Sequence, residues 1–268
     1  MNSYTELIER EVNKVYEVAV RARSRGFDPA DTVEIPLARN MAERVEGLIT
    51  SVAPQIKGVG IVERIQKLEG LYGIDWRVAF IVSREVAEEK FCKFKNKLEA
   101  MEIGLRIGLA YLTNGIVSSP LEGFTKLALK KRKDGKEYFC LYFSGPIRSA
   151  GTTATCAFVA LADYVRHEMG YSAYDPSDIE IKRIVIELID YHEKVTNLQY
   201  MPSEEELAFM VEKLPVQING EPSEKWDVSN YKDIDRIETN KLRSGFCLVF
   251  GEGLTQKAKK FWGIFSKW

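Results

Sequence analysis

Residues 143–158, FSGPIRSAGTTATCAF, set two glycines, a proline, one arginine and several small hydroxyl side chains between an aromatic strand-like run and an apolar helical run. That mixture is suited to holding an anion. Glycine lets the backbone come close to a ligand. The first amides of a helix starting near Thr152–Thr155 have no partner inside the helix and carry about half a positive charge. Arg148 can grip phosphate through two N–H groups. Gly151 gives room, and the hydroxyls of Ser149, Thr152 and Thr153 add donors. The same residues also suit a plain tight turn whose threonines cap the helix and whose Arg148 pairs with a carboxylate. No GxxxxGK[ST] pattern is present, so the loop is not of the Walker type.

Two further clusters carry positive charge. Lys130, Lys131, Arg132, Lys133 and Lys136 crowd one short stretch that holds a single acid, Asp134. A basic finger of this kind can lie along a phosphate backbone, with salt-sensitive binding from counterion release. It can equally keep an edge strand soluble. The segment from Gly251 to Lys260 repeats a strand–glycine–helix plan, with Lys257, Lys259 and Lys260 in the first helical turns. Lysine there opposes the helix dipole, a cost that a nearby phosphate would offset. Arg243, just upstream, can join that patch, and a solvated face is the alternative.

Other chemistries find little support. The cysteines (Cys92, Cys140, Cys156, Cys247) form no CxxC pair, and His167 and His192 are far apart, so a zinc site is not expected. The run Ser203-Glu204-Glu205-Glu206 is explained by helix capping, and no carboxylate pair points to a two-metal centre. Late in its helix, a partly protonated His192 would suit the dipole. No catalytic residue and no metal ligand set is assigned.

The net charge of −1 excludes a wholly basic nucleic-acid-binding chain, so any polyanion site must come from local clustering. Hydrophobic residues make up 45% and charged residues 29%, enough for a sizeable core. The most apolar stretch, Ile103–Leu112, is broken by Arg106 and two glycines, so no membrane span is expected. The amphipathic start, MNSYTELIEREV, does not read as a signal peptide. Three cysteines among apolar neighbours imply reduced, buried thiols and a cytoplasmic protein.

The elements that must position these clusters follow from periodicity. Helical spacing, opened by a Ser3/Glu6 capping box, covers the first part of the chain as far as Gly26-Phe27-Asp28-Pro29. A short extended piece over 32–36 follows. Further helices are predicted over 37–49, 59–71, from an Asp75 cap, and over 97–113 to Asn114-Gly115. Runs at 124–132 and 137–143, joined through Asp134-Gly135, predict a hairpin. Helices are then predicted over 153–169, 178–194 (Ser177/Glu180 box) and from Ser203/Glu206 to near Lys213. Strands are predicted at 215–218 and 246–250, and a basic helix at 254–267. This order predicts an α+β fold. The change of character places a boundary near Gly115–Ser119, between a helical subdomain (1–115) and an α+β subdomain (116–268).

Six stretches then carry a resemblance, in order and spacing: VEIPLARNMAERVE (33–46), LTNGIVSSPLEG (112–123), YFSGPIRSAGTT (142–153), LQYMPSEEE (198–206), PVQINGEPSE (215–224) and ETNKLRSGFCLVFGEGLTQKAKK (238–260). Together they resemble the amino-terminal region of the large subunit of archaeal family-D DNA polymerase. Against the family pattern AGPIRSAGGT, Ser144 replaces alanine and Thr152 replaces the second glycine. Ser244 stands where the family usually has another glycine. A β-branched Thr152 does not readily take positive φ.

The resemblance implies a heterodimeric replicative polymerase. In it the large subunit synthesises DNA in a double-psi barrel with divalent metal (magnesium), and a small subunit is a 3′–5′ exonuclease. The barrel lies downstream of the matched region, so this chain is expected to lack polymerase activity alone and to need no cofactor. Its expected partners are primer–template DNA, the small exonuclease subunit and the remainder of the large subunit. Self-association is left open. Two other readings stand beside it: a small-molecule enzyme holding a nucleotide in the GPIRSAGTT loop, and a purely structural module.

Overall fold

A computed structural model describes residues 3–27, 38–198 and 200–257. The chain divides into two compact units, Met1–Asn40 and Met41–Trp268. In the first, helix α1 (Ser3–Ser24) ends where Gly26 takes φ +73°. One side of α1 carries Leu7, Ile8, Val12, Val15 and Ala19. The extended piece expected at 32–36 lies outside the described residues, as does the side chain of Ser3.

The second unit is α+β. Helices α2 (Met41–Thr50), α3 (Ile61–Tyr72), α4 (Trp76–Ala87) and α5 (Lys97–Leu112) come first. Asp75 caps α4 by accepting from the Arg77 amide at 2.9 Å, as its position before an apolar periodic run predicts. The α5 stretch is buried on nearly every side, which explains its continuous hydrophobicity. Its Arg106, 6% exposed, is no break in the core. The guanidinium donates to the carbonyls of Pro120 (2.9 Å), Leu121 (3.1 Å), Phe124 (2.7 Å) and Thr125 (2.6 Å). It thereby pins a π turn, Ser119–Gly123, and the start of strand β1 (Phe124–Lys131).

β1 pairs antiparallel with β2 (Glu137–Phe143) over the register Phe124↔Phe143 to Lys131↔Glu137. The turn closes with Arg132 N–H donating to Lys136 C=O at 2.8 Å and Gly135 at φ +83°. After β2 come a 3₁₀ turn (Gly145–Ala150) and helices α6 (Gly151–Glu168), α7 (Asp178–Lys194) and α8 (Glu204–Lys213). Both expected capping boxes are formed, at Ser177/Glu180 and Ser203/Glu206. The helices make the crossover that a parallel pairing requires, and β3 (Gln217–Gly220) lies parallel to β2. A ribbon of β4 (Pro222–Asp227) and β5 (Lys241–Arg243) follows. One core runs through this unit, from Ala42 through Phe124, Phe143 and Phe158 to Leu254, and is continuous across Gly115. There helical spacing gives way to strands.

One predicted strand is wrong. Residues 246–250 form a short helix, α9 (Ser244–Cys247), that runs into a π turn, Leu248–Leu254. Phe246 to Phe250 are buried on all sides, and a short, wholly apolar run carries no period that separates strand from helix. The strand–glycine–helix plan for the C-terminal cluster therefore does not hold. His192 lies in the last turn of α7, as its position late in the predicted helix implies. Its Nδ1 accepts from the Leu198 amide at 2.9 Å, so the ring also ties down the loop that follows the helix.

Acid should loosen this fold at a definable place. Burial alone would raise the carboxyls of Asp175, Glu180 and Glu238. Hydrogen bonds from Arg236 to the first two and from Lys130 to the third outweigh it and hold all three below the ordinary carboxylate range. Groups depressed in the folded state add stability above their unfolded pKa, near 4. That stability is lost as pH falls through their folded values. The urea midpoint should hold from about pH 7 to 5 and fall below about 4. Arg236→Met should flatten that acid limb, and an unchanged limb would refute the assignment.

Candidate nucleic-acid interface

The GPIRSAGTT segment is not an open loop. Ile147 N–H donates to Ser144 C=O at 3.1 Å, and Ser144 N–H donates to Gly123 C=O at 2.9 Å, so the segment is a 3₁₀ turn moored to the π turn before β1. Positive φ falls at Gly151 (+77°), whereas Thr152 lies inside α6. The family glycine that Thr152 replaces is thus not needed here for a left-handed residue. Ser149 Oγ lies 2.7 Å from Ser119 Oγ and 2.9 Å from Ser118 Oγ, and donates to Pro146 C=O. Thr153 is exposed and Thr152 half-buried.

Arg148 is 65% exposed and its Nη2 lies 3.4 Å from Glu252 Oε1. Glu252 comes from the π turn, 104 residues away in sequence, and was not identified as a partner beforehand. Tyr191 is buried within electrostatic range of both. Burial first, then Cys247 and Glu252, push its phenol up to about 12, while Arg148 pulls the other way. The phenol is protonated at neutral pH. Lys257 is half-buried on the segment after Glu252, and Lys259 and Lys260 lie outside the described residues.

The hairpin cations divide into two groups. Lys130 turns back onto the molecule: it donates to Arg236 C=O at 2.8 Å, pairs with Glu238 and is 14% exposed. Arg132 donates to Ala173 C=O at 2.6 Å and to Asp134 at 3.2 Å. Lys131, Lys133 and Lys136 stand exposed at the tip, with Lys136 Nζ 3.9 Å from Asp134. Among the described residues, Lys131 and Lys133 make no side-chain ion pair.

Arg243 is not part of a surface patch. It is 0% exposed, and Glu187, also 0% exposed, accepts from its Nη2 at 2.6 Å and from its backbone N–H at 2.7 Å. Asn219 accepts from its Nη1 at 2.9 Å. Arg183, 1% exposed, places Nη1 3.5 Å from the same carboxylate. An arginine before an apolar run gave no sign of this, because the acid lies 56 residues upstream.

The clusters therefore do not all meet. The 3₁₀ turn and the π turn come together at Arg148–Glu252. The hairpin tip lies at the other end of β2 from Phe143, six residues along the strand, about 20 Å at the ordinary strand rise. Among the described residues no group of three or more His, Cys, Asp or Glu is placed to hold a metal. No described helix is long and apolar enough to cross a membrane.

Comparison with known proteins bears on this arrangement. Residues 3–267 match the family model described as DNA polymerase II large subunit DP2, N-terminal. The chain is 47% identical over 266 residues to the DNA polymerase II large subunit of Nanoarchaeum equitans, covering 99% of this chain and 21% of that protein. It is 43% identical over 262 residues to that of Methanothermobacter thermautotrophicus (97% and 23%), and 42% over 262 residues to that of Pyrococcus abyssi (97% and 17%). The chain spans about a fifth of the length of these curated relatives.

Proposed function

This chain belongs to the DNA polymerase II large subunit DP2 N-terminal family, and from that premise we propose that it is a DNA-contacting and assembly module of a replicative DNA polymerase. In this reading it contributes no polymerase chemistry of its own. The remainder of the large subunit, with divalent metal, supplies synthesis, and a small subunit supplies 3′–5′ exonuclease activity. The module works in the cytoplasm on primer–template DNA.

The observation that carries the DNA contact is the hairpin tip. Lys131, Lys133 and Lys136 are exposed on a turn held by backbone hydrogen bonds, so three cations stand on a fixed support. Arg148 offers a fourth contact, in the 3₁₀ turn that follows the opposite end of β2. Such contacts hold a duplex in place without reading its sequence. Lys130, Arg132 and Arg243 drop out, because each is engaged by the protein itself. The assembly role is supported by the apolar side of α1, where Leu7 is 45% and Val15 68% exposed. Faces of that kind are covered when subunits associate.

Four phosphate contacts predict a slope of about −3.6 for log affinity against log salt. Replacing Lys131, Lys133 and Lys136 by Ala should lower its magnitude by about 2.7. Fluorescence anisotropy of a labelled primer–template across a salt series measures both. A slope unchanged in the triple variant would exclude the tip as the contact.

A further inference from the structure

We propose that Glu252 is a built-in competitor for the Arg148 seat and makes that seat selective for polymeric over single phosphates. The inference rests on the DNA contact proposed above. Its first support is geometric: a carboxylate oxygen lies 3.4 Å from Arg148 Nη2, where a phosphate oxygen would be gripped. Arg148 is 65% exposed but Glu252 only 19%, so the carboxylate is held inward while the guanidinium reaches out.

The second support is how Glu252 is held. It sits between Gly251 and Gly253 in the π turn Leu248–Leu254, a backbone form concentrated at functional sites. A β-carbon at position 251 would lie 2.6 Å from Leu188 Cδ1 of α7, and one at 253 would lie 2.8 Å from Thr155 Oγ1 of α6. The Gly-Glu-Gly backbone is therefore pressed between two helices, and the intervening carboxylate is delivered beside the opening turns of α6.

Selectivity follows from displacement. A single phosphate must expel Glu252 using one contact, so its apparent affinity falls by the fraction of molecules with Arg148 released. A duplex whose other phosphates rest on Lys131, Lys133 and Lys136 meets Arg148 at high effective concentration. It can expel the carboxylate where inorganic phosphate or a nucleotide cannot. Glu252 thereby separates DNA from the free nucleotides around it.

The test uses the full chain, a labelled duplex, and inorganic tripolyphosphate as competitor. Glu252→Gln should bind duplex about two- to fivefold more tightly, with the salt slope kept near the wild-type value because the same four phosphates are engaged, and should become sensitive to tripolyphosphate. Wild type should resist that competitor. Arg148→Ala combined with Glu252→Gln should lose all these gains. Should the Gln variant melt at lower temperature, Glu252→Asp, with its carboxylate drawn back by one methylene, should show the same direction of change. Duplex affinity unchanged in both Glu252 variants, while the lysine triple variant weakens it, would overturn the competitor and leave the DNA contact standing. No duplex binding by any variant at low salt would overturn both.

Discussion

Glu187→Ala is expected to remove about 3–5 kcal/mol of folding free energy, measured by urea unfolding at neutral pH. Among the described residues Glu187 is the one carboxylate paired with the guanidinia of both Arg183 and Arg243, and all three side chains are at most 1% exposed. Its two oxygens receive Arg243 Nε, Nη2 and the Arg243 backbone N–H. Truncation leaves two buried positive charges facing each other across a cavity, which costs far more than the ion pair gains over an apolar substitute. Replacing the trio together by Met, Leu and Met should therefore recover most of the loss. A single-site loss below about 1 kcal/mol would show that water reaches the network. The effect should extend to the candidate site. Arg243 ends β5 and leads directly into α9 and the π turn that carries Glu252.

Gly245→Ala is the second large effect. A β-carbon at 245 would sit 2.1 Å from the Phe143 carbonyl oxygen and 2.8 Å from the Ser144 nitrogen. These are backbone atoms at the end of β2, where the 3₁₀ turn begins, and they cannot rotate away as a side chain would. Either α9 backs off the sheet or β2 bends, at about 1–3 kcal/mol or more. Because Arg148 lies on one side of that contact and Glu252 on the other, duplex affinity should change as well as melting temperature. Gly47→Ala supplies the control: it lies within α2 with nothing within 4 Å of the new carbon, so it should stabilise by about 0.5–1 kcal/mol. Equal melting temperatures for the two variants would refute the packing argument.

Much of the secondary structure was legible because its signals are local. The Ser177/Glu180 and Ser203/Glu206 boxes, the Asp75 cap and the Asp134-Gly135 turn each lie within a few residues, and each is formed. The run 246–250 was misread because burial on all sides erases the alternation that separates strand from helix. The six motif stretches carried the resemblance to the family, and the match over residues 3–267 agrees.

What the sequence by itself determined is therefore the α+β class, most helix starts, the hairpin and the kinship. Only the tertiary structure decided which cations face solvent. Lys130 and Lys131 are neighbours of the same type, yet one is tied to Glu238 and the other stands exposed, because successive strand residues point to opposite faces. Arg243 and Arg148 each acquired a carboxylate from a distant helix or turn, one pair sealed in the core and the other at the surface. A charge's partner is fixed by which segments pack together across tens of residues, and no pattern within a short window of sequence contains that information.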